Sequence, residues 1–281
     1  MKIFEKQAEL KAFLKSISAK NSMLGFVPTM GALHDGHLSL LRQSIENNAI
    51  SVISIFVNPT QFNNIEDLEK YPRTLEIDVA KVKTISDSII IYAPTVEDIY
   101  EGQTISEQFD FDGLEKQMEG EFRPGHYDGV GTVVKRLFEI VQPTNAYFGE
   151  KDFQQLQIVK KLVQKLKLNV NIVECPIYRE KNGLAMSSRN ERLTENERKE
   201  AALIYEILKS ARSKFTSSSA VVISNWVEKT LQKHKLIQLE YFQIADESSL
   251  LPCLRKNKNK KYRAFIAVII NNIRLIDTIS L

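Results

Sequence analysis

Two histidines three residues apart, His34 and His37, lie in the segment Pro28-Thr29-Met30-Gly31-Ala32-Leu33-His34-Asp35-Gly36-His37. Gly31 and Gly36 permit positive φ and a close backbone approach. A helix opening at His37 offers unpaired N–H groups and a favourable dipole to an anion. Histidines placed there can donate hydrogen bonds to phosphoryl oxygens as negative charge builds on them. A polyphosphate suits this cradle. Two other readings stay open: a turn with two polar capping side chains, and a metal site, because His-x-x-His can chelate. The metal reading needs a third ligand, and the chain has two further histidines, His126 and His234, and no Cys pair.

Four more segments carry chemistry of the same kind. Asn58-Pro59-Thr60-Gln61 offers neutral, directional hydrogen bonds from Asn58 and Gln61 to hydroxyls or a carboxylate, or is a simple Asn-Pro turn. Residues 121–131 (EFRPGHYDGVG) are Gly-rich, contain Arg and His and feed a helix; they lack the Lys-Ser/Thr of a P-loop and the third Gly of a dinucleotide fingerprint. In Gly149-Glu150-Lys151-Asp152, a Lys at a helix start adds to the pull on phosphate, and Asp152 can hold a ribose or Mg²⁺. Met186-Ser187-Ser188-Arg189-Asn190, after the turn at residues 180–183, reads as a phosphate clamp on a Gly hinge. Each signal is weak alone; repetition after successive strands is what gives them weight.

The elements that must hold these segments alternate. Residues 4–20 have helical apolar spacing, residues 23–28 form a short apolar run ending at Pro-Thr-Met-Gly, and residues 37–48 are helical again. Residues 50–57 (ISVISIFV) are β-branched and apolar on both faces, as a buried parallel strand requires. Residues 65–86 read as mostly helix, 88–92 as strand, 132–141 as helix, 146–148 as strand, 153–166 as helix and 170–173 as strand. This alternation predicts a parallel sheet with helices on both faces, which binds ligands at the carboxyl ends of its strands. Further on, residues 194–214 and 220–233 read as helices and 239–245 and 262–270 as strands, with residues 255–263 as a solvated basic turn between them.

Composition narrows the class. The 281 residues are 43% apolar and 26% charged, ordinary for a folded soluble protein, and suffice for two domains. Two cysteines, Cys175 and Cys253, make no disulfide framework and point to a reducing compartment. No apolar run approaches membrane-spanning length, and the charged start MKIFEKQAELKAF is unlike a secretory signal, so a cytoplasmic location is expected. The net charge of +3 hides an asymmetry: residues 1–176 hold 19 Lys and Arg against 24 Asp and Glu, and residues 177–281 hold 19 against 11. Near-neutrality with an acidic N-terminal part argues against a nucleic-acid binder.

The motifs PTMGALHDGH, SIFVNPTQF, YPRT, RPGHYDGV, FGEKDFQQL and GLAMSSRN resemble, in order and spacing, the pantothenate synthetase family within the His-x-Gly-His class I synthetase and nucleotidyltransferase superfamily. The resemblance covers about residues 24–200. A shorter nucleotidyltransferase such as phosphopantetheine adenylyltransferase needs neither NPTQF nor FGEKDFQQL, and MSSRN lacks the lysines of a tRNA synthetase KMSKS loop. The resemblance implies a Rossmann-like α/β catalytic domain over residues 1–176 and a smaller α/β lid domain over residues 177–281. It implies condensation of pantoate with β-alanine at the expense of ATP, through a pantoyl adenylate, in a homodimer to whose interface the ISVISIFV strand could contribute. It further implies that Met30, Gly31, Ala32, Leu33, His34, Asp35, Gly36 and His37 bind ATP, with His37 the leading catalytic residue beside His34. Gly149, Glu150, Lys151 and Asp152 bind the nucleotide, Lys151 on phosphate. Tyr178 offers its backbone to adenine, and Met186, Ser187, Ser188 and Arg189 form the second phosphate loop. Gln61 and Gln155 hold pantoate and β-alanine, Asn58 and Tyr71 line or support them, and Asp78 is a Mg²⁺-side residue. Asp128 receives no role.

Overall fold

The computed structural model describes residues 1–17 and 22–281, apart from the side chain of Asp67. Its residues group into two compact units. The first comprises Met1–Glu115, Glu119–Gly149 and Gln155–Cys175; the second comprises Lys116–Met118, Glu150–Gln154 and Pro176–Leu281.

In chain order, the first unit and its connections run β1 (Lys2–Phe4), α1 (Gln7–Ile17), β2 (Leu24–Thr29), α2 (Asp35–Asn47), β3 (Ile50–Ile55), α3 (Ile65–Lys70), α4 (Leu75–Lys83), β4 (Ile90–Tyr92), α5 (Val96–Tyr100), α6 (Glu119–Phe122), α7 (His126–Val141), β5 (Asn145–Gly149), α8 (Phe153–Leu166) and β6 (Asn171–Cys175). The six strands form one sheet in the order β1-β4-β3-β2-β5-β6, with every pair parallel. Chain order reverses between β2 and β5. There the carboxyl ends of neighbouring strands send their loops apart, which is where open α/β sheets bind ligands. Thr29 ends β2 and Gly149 ends β5.

The strand β3 lies between β2 and β4, and its Val52 and Ile53 are wholly buried within the single chain. Its apolar character therefore serves the sheet core. Burying each such side chain contributes roughly 1.5–3 kcal/mol, and Val27, Leu41, Ile53 and Ile91 share one cluster.

Local chemistry accounts for the departures from the expected elements. The helix expected over residues 65–86 is two helices, because Pro72 forces Tyr71 into an extended conformation (φ −66°, ψ 126°). The helix expected from residue 37 begins at Asp35, with His34 in the cap position. The helix expected from residue 132 begins at His126. Residues 2–4 form an edge strand ahead of α1, and residues 18–20 of that expected helix lie outside the described residues.

The second unit continues with α9 (Glu195–Ala201), α10 (Leu203–Phe215), α11 (Ala220–Leu231), β7 (Gln238–Asp246), β8 (Tyr262–Ile270) and β9 (Ile273–Ser280). The three strands form an antiparallel sheet with the buried β8 in the centre; α10 packs on β8 and β9, and α11 on β7. The single helix expected over residues 194–214 is interrupted at Ala202. The hairpin from β8 to β9 turns on Asn271 (φ 47°) and Asn272 (φ 60°), a pair of left-handed positions that asparagine tolerates well. The strand expected over residues 262–270 is β8, so the basic stretch expected as a turn over residues 255–263 ends before it, at Lys261.

Candidate active site

At the carboxyl end of β2 the chain turns sharply. Gly31 (φ 83°) and Ala32 (φ 48°) both take left-handed conformations, and Gly31 N–H donates to Thr29 Oγ1 at 3.2 Å. The turn is fixed from α4. The buried Asp78 carboxylate accepts from Ala32 N–H at 3.0 Å, from Leu33 N–H at 2.7 Å and from the Thr74 hydroxyl at 3.3 Å. Its two oxygens are thus committed to three protein donors. Asp78 is thus the clasp of the His-x-Gly-His turn. Among the described residues no three His, Cys, Asp or Glu side chains group as a metal would require.

The histidines sit on the first turn of α2. Their rings stack at 4.0 Å between centroids, tilted by 30°, and both are half-buried, whereas Asp35 is exposed. His34 N–H donates to His37 Nδ1 at 3.3 Å. An accepting Nδ1 puts the proton of a neutral imidazole on Nε2, the form that can donate to a phosphoryl oxygen. Met30, Gly31, Ala32, Leu33 and Gly36 complete this turn, with Leu33 anchored in the core.

After β3, the 3-10 turn Pro59–Gln61 carries Gln61, which is buried to 8% exposure. Its amide is held on both sides: Oε1 accepts from Asn58 Nδ2 at 3.2 Å, and Nε2 reaches Met30 Sδ at 2.9 Å. Asn58 is 1% exposed and saturated. It donates to Gln61 Oε1 and to Gly129 O (3.1 Å), and accepts from the Tyr100 hydroxyl at 2.6 Å and the Thr60 hydroxyl at 3.2 Å. Asn58 therefore supports Gln61. Tyr71 packs edge-on to Phe62 at 5.7 Å, beside the same turn. Gln155 lies half-buried on the first turn of α8.

The segment 121–131 holds the Gln61 turn. His126 Nδ1 donates to Gln61 O at 2.8 Å, and Arg123 donates to the same oxygen at 3.2 Å. The start of α7 presses on the turn so closely that a Cβ on Gly129 would lie 2.4 Å from Thr60 O and 2.7 Å from Gln61 Cα. Asp128 accepts from Phe109 N–H at 3.0 Å, fastening the preceding loop to α7.

In the second unit, Glu150–Asp152 forms a 3-10 turn and Ser188–Arg192 another, and β9 packs against both. Lys151 is largely buried, 3.6 Å from Asp152. Glu150 is partly buried, and Arg263 Nη2 pairs with it at 3.2 Å. Ser187 caps the second turn, accepting from Arg189 N–H at 3.3 Å, and Ser188, Arg189 and Met186 are half-exposed around it. The buried Asn190 ties this turn to the hairpin at residues 178–186, donating to Glu180 Oε1 (2.7 Å) and Ala185 O (3.1 Å). Tyr178, 40% exposed, opens that hairpin, and its carbonyl accepts from Met186 N–H at 3.0 Å. Arg179 forks onto Asp277 of β9 at 2.7 and 3.0 Å and stacks 3.7 Å from the Tyr205 ring. Burial pushes the Asp277 carboxyl up, against the pull of Arg179 and Lys151. Gly183 (φ 91°) closes the hairpin turn where a Cβ would strike Tyr205 at 2.7 Å.

Sequence reasoning missed the holding residues: Asp78 as a clasp, Arg123, His126, Gly129, Tyr100, Arg179, Arg263 and Asp277. The available signal was burial of polar residue types within apolar periodicity, as for Arg263 beside the run at residues 264–270.

A parallel sheet with a His-x-Gly-His turn at its switch point, and phosphate-type loops on helix-opening turns, defines a nucleotide-binding α/β enzyme of the Rossmann-like class. The sequence profile described as Pantoate-beta-alanine ligase matches residues 2–280. The chain is 65% identical to pantothenate synthetase from Flavobacterium psychrophilum and 50% identical to that from Christiangramia forsetii, over the full length of this chain and 100% and 99% of theirs. The crystal structure of pantothenate synthetase from Thermus thermophilus superposes with a TM-score of 0.90 at 38% identity, over 99% of each chain. The ligase from Francisella tularensis, complexed with βγ-ATP and β-alanine, gives 0.81 at 34% identity, over 100% of this chain and 97% of that one. The chain belongs to the pantoate–β-alanine ligase family.

Proposed function

We infer that the protein joins pantoate to β-alanine at the expense of ATP, giving pantothenate, AMP and pyrophosphate through a pantoyl adenylate. Full-length family membership carries this reading, and the clasped His-x-Gly-His turn supports it. A pantoate carboxylate oxygen attacks the α-phosphorus of ATP and the bond to pyrophosphate breaks. The β-alanine amine then attacks the acyl carbon, loses a proton, and AMP leaves with the former carboxylate oxygen. No side chain forms a covalent bond, so catalysis rests on positioning and on stabilising charge at the phosphates.

We assign the roles residue by residue. The α2 N-terminus with His34 and His37 donates to phosphoryl oxygens, over the backbone cradle from Met30 to His37. Lys151, Ser187, Ser188 and Arg189 stabilise phosphate charge; Gly149, Asp152, Tyr178 and Met186 serve the nucleoside side. Gln61 orients the pantoate carboxylate or hydroxyls, with Gln155 as its counterpart and Tyr71 as support. Residues 1–176 then form the ATP- and pantoate-binding domain, with residues 177–281 as the smaller domain, to which the Glu150–Gln154 turn contributes.

The committed carboxylate of Asp78 does not fit a protein-held Mg²⁺ site. A magnesium ion would instead enter with the triphosphate and would offset its charge there. No described helix is long and apolar enough to cross a membrane, and we take the enzyme to be cytoplasmic and homodimeric, the latter checked by light scattering. Pyrophosphate release tests the reaction: it requires pantoate as well as ATP, and release independent of pantoate overturns the reading.

A further inference from the structure

The basic stretch at residues 255–263 looks from sequence like a solvated turn, and most of it is exposed. Its last member is not. Arg263 is 5% exposed in the centre of the antiparallel sheet. Its Nε donates to Glu247 Oε1 at 2.9 Å, its Nη2 pairs with Glu150 Oε2 at 3.2 Å, and its guanidinium lies 3.9 Å from the Phe153 ring. Phe153 in turn packs against Phe265, two residues along the same strand face, at 6.0 Å. A buried cation is expensive unless it is paired, so two carboxylates and an aromatic face on one guanidinium mark a fixed junction.

What the junction fixes is the turn Glu150–Asp152, which holds Lys151. Glu150 is gripped from one side and Phe153 from the other, so the three-residue turn is held at both ends by one side chain on β8. The backbone of β9 packs on the same turn. A lysine that serves a phosphate must have its backbone placed, because its own four-carbon stem is flexible.

We propose that Arg263 is a positioning residue for the ATP half of the reaction: through Glu150 and Phe153 it sets the turn from which Lys151 reaches the nucleotide phosphates. This rests on the assignment of Lys151 to phosphate in the proposed function. The stacking requires a planar guanidinium and the two carboxylates require its fork, so lysine replaces it only in part.

The test compares R263M, R263K and E150Q with the exposed control K258A, measuring steady-state constants for each substrate and thermal midpoints. Loss of the fork raises the KM for ATP about tenfold in R263M and about threefold in R263K and E150Q, with the KM for pantoate and for β-alanine within about twofold of wild type. K258A changes nothing. A purely structural Arg263 predicts a lower midpoint with all three KM values moving together, or with none moving, and either outcome overturns the proposal. Should R263M fail to fold, R263K and E150Q decide by the same split. Pantoate-dependent pyrophosphate release by the wild type, measured alongside, fails only if the reaction itself is misassigned.

Discussion

Substituting Gly129 with alanine tests whether α7 sets the position of Gln61. The added Cβ would stand 2.4 Å from Thr60 O, 2.6 Å from Thr60 C and 2.7 Å from Gln61 Cα. All three are backbone atoms, so no side chain can rotate aside. Restoring an ordinary contact of 3.4 Å requires a shift of about 1 Å between α7 and the turn Pro59–Gln61. Alanine improves helix propensity by about 1 kcal/mol, whereas overpacking costs roughly 1–3 kcal/mol or more, so the clash wins. The net cost of about 0–2 kcal/mol should lower the thermal midpoint by up to roughly 8 °C, at about 2–4 °C per kcal/mol. The larger effect is on function, because the shift also strains the Asn58–Gly129 hydrogen bond and displaces the Gln61 amide. A misplacement of about 1 Å costs on the order of 100-fold in rate, and kcat/KM for pantoate should fall by that factor. The KM for ATP should stay within about twofold, because the turn at residues 30–37 is clasped independently by Asp78. Pyrophosphate release at varied pantoate and varied ATP, with melting by circular dichroism, reads both. Wild-type kinetics and an unchanged midpoint would refute the role assigned to the helix contact.

Replacing Asp78 with asparagine leaves one acceptor oxygen for Ala32 and Leu33 N–H and turns an NH₂ toward them. A charge-assisted hydrogen bond is worth about 1.5–3 kcal/mol, so denaturant midpoints should show a loss of that size together with a raised KM for ATP. An unchanged KM for ATP removes the clasp from the account. Replacing His37 with alanine should lower adenylate formation by about 10²–10³-fold with the fold intact by circular dichroism; near-wild-type adenylation excludes it from charge stabilisation. Burial pushes the Asp246 carboxyl up, but the Ser248 and Ser249 hydroxyls, Ser249 N–H and Lys260 outweigh it and hold it at about 2. A depressed carboxylate gives stability that is complete above its unfolded value and is lost as pH falls from about 4 through 2. Asp246→Asn should abolish that part of the acid dependence of urea midpoints and cost on the order of 2 kcal/mol at neutral pH, and an unaltered profile contradicts it.

The sheet was legible because buried parallel strands advertise themselves. Residues 50–57 are apolar on both faces, and the loops that follow the strands contain the Gly, His and Lys types that phosphate chemistry uses. Spans were blurred where a local rule competed with periodicity: Pro72 cut a helix that apolar spacing continues, and His34 capped a helix expected to begin at His37. The short β1 was hidden because three residues are too few for a period. Within the site, the residues assigned to ligands lie in short motifs, whereas Asp78 and Arg263, which hold them, lie far along the chain from their partners. Asp78 lies 45 residues from its partner Leu33, and Arg263 lies 113 from Glu150. Such separations leave no spacing pattern in a single sequence. Arg123 and His126 drew notice only as Arg and His in a Gly-rich loop; their shared acceptor, Gln61 O, appears only in the fold.

The central claim is that pantoate is activated through its own carboxylate on the α-phosphate, with side chains positioning and none bonding. Pantoate labelled with ¹⁸O in the carboxylate tests it in one turnover with ATP and β-alanine, read by mass spectrometry of the products. The account predicts one ¹⁸O in AMP and none in pyrophosphate. Unlabelled AMP, or label in an inorganic phosphate product, would contradict it.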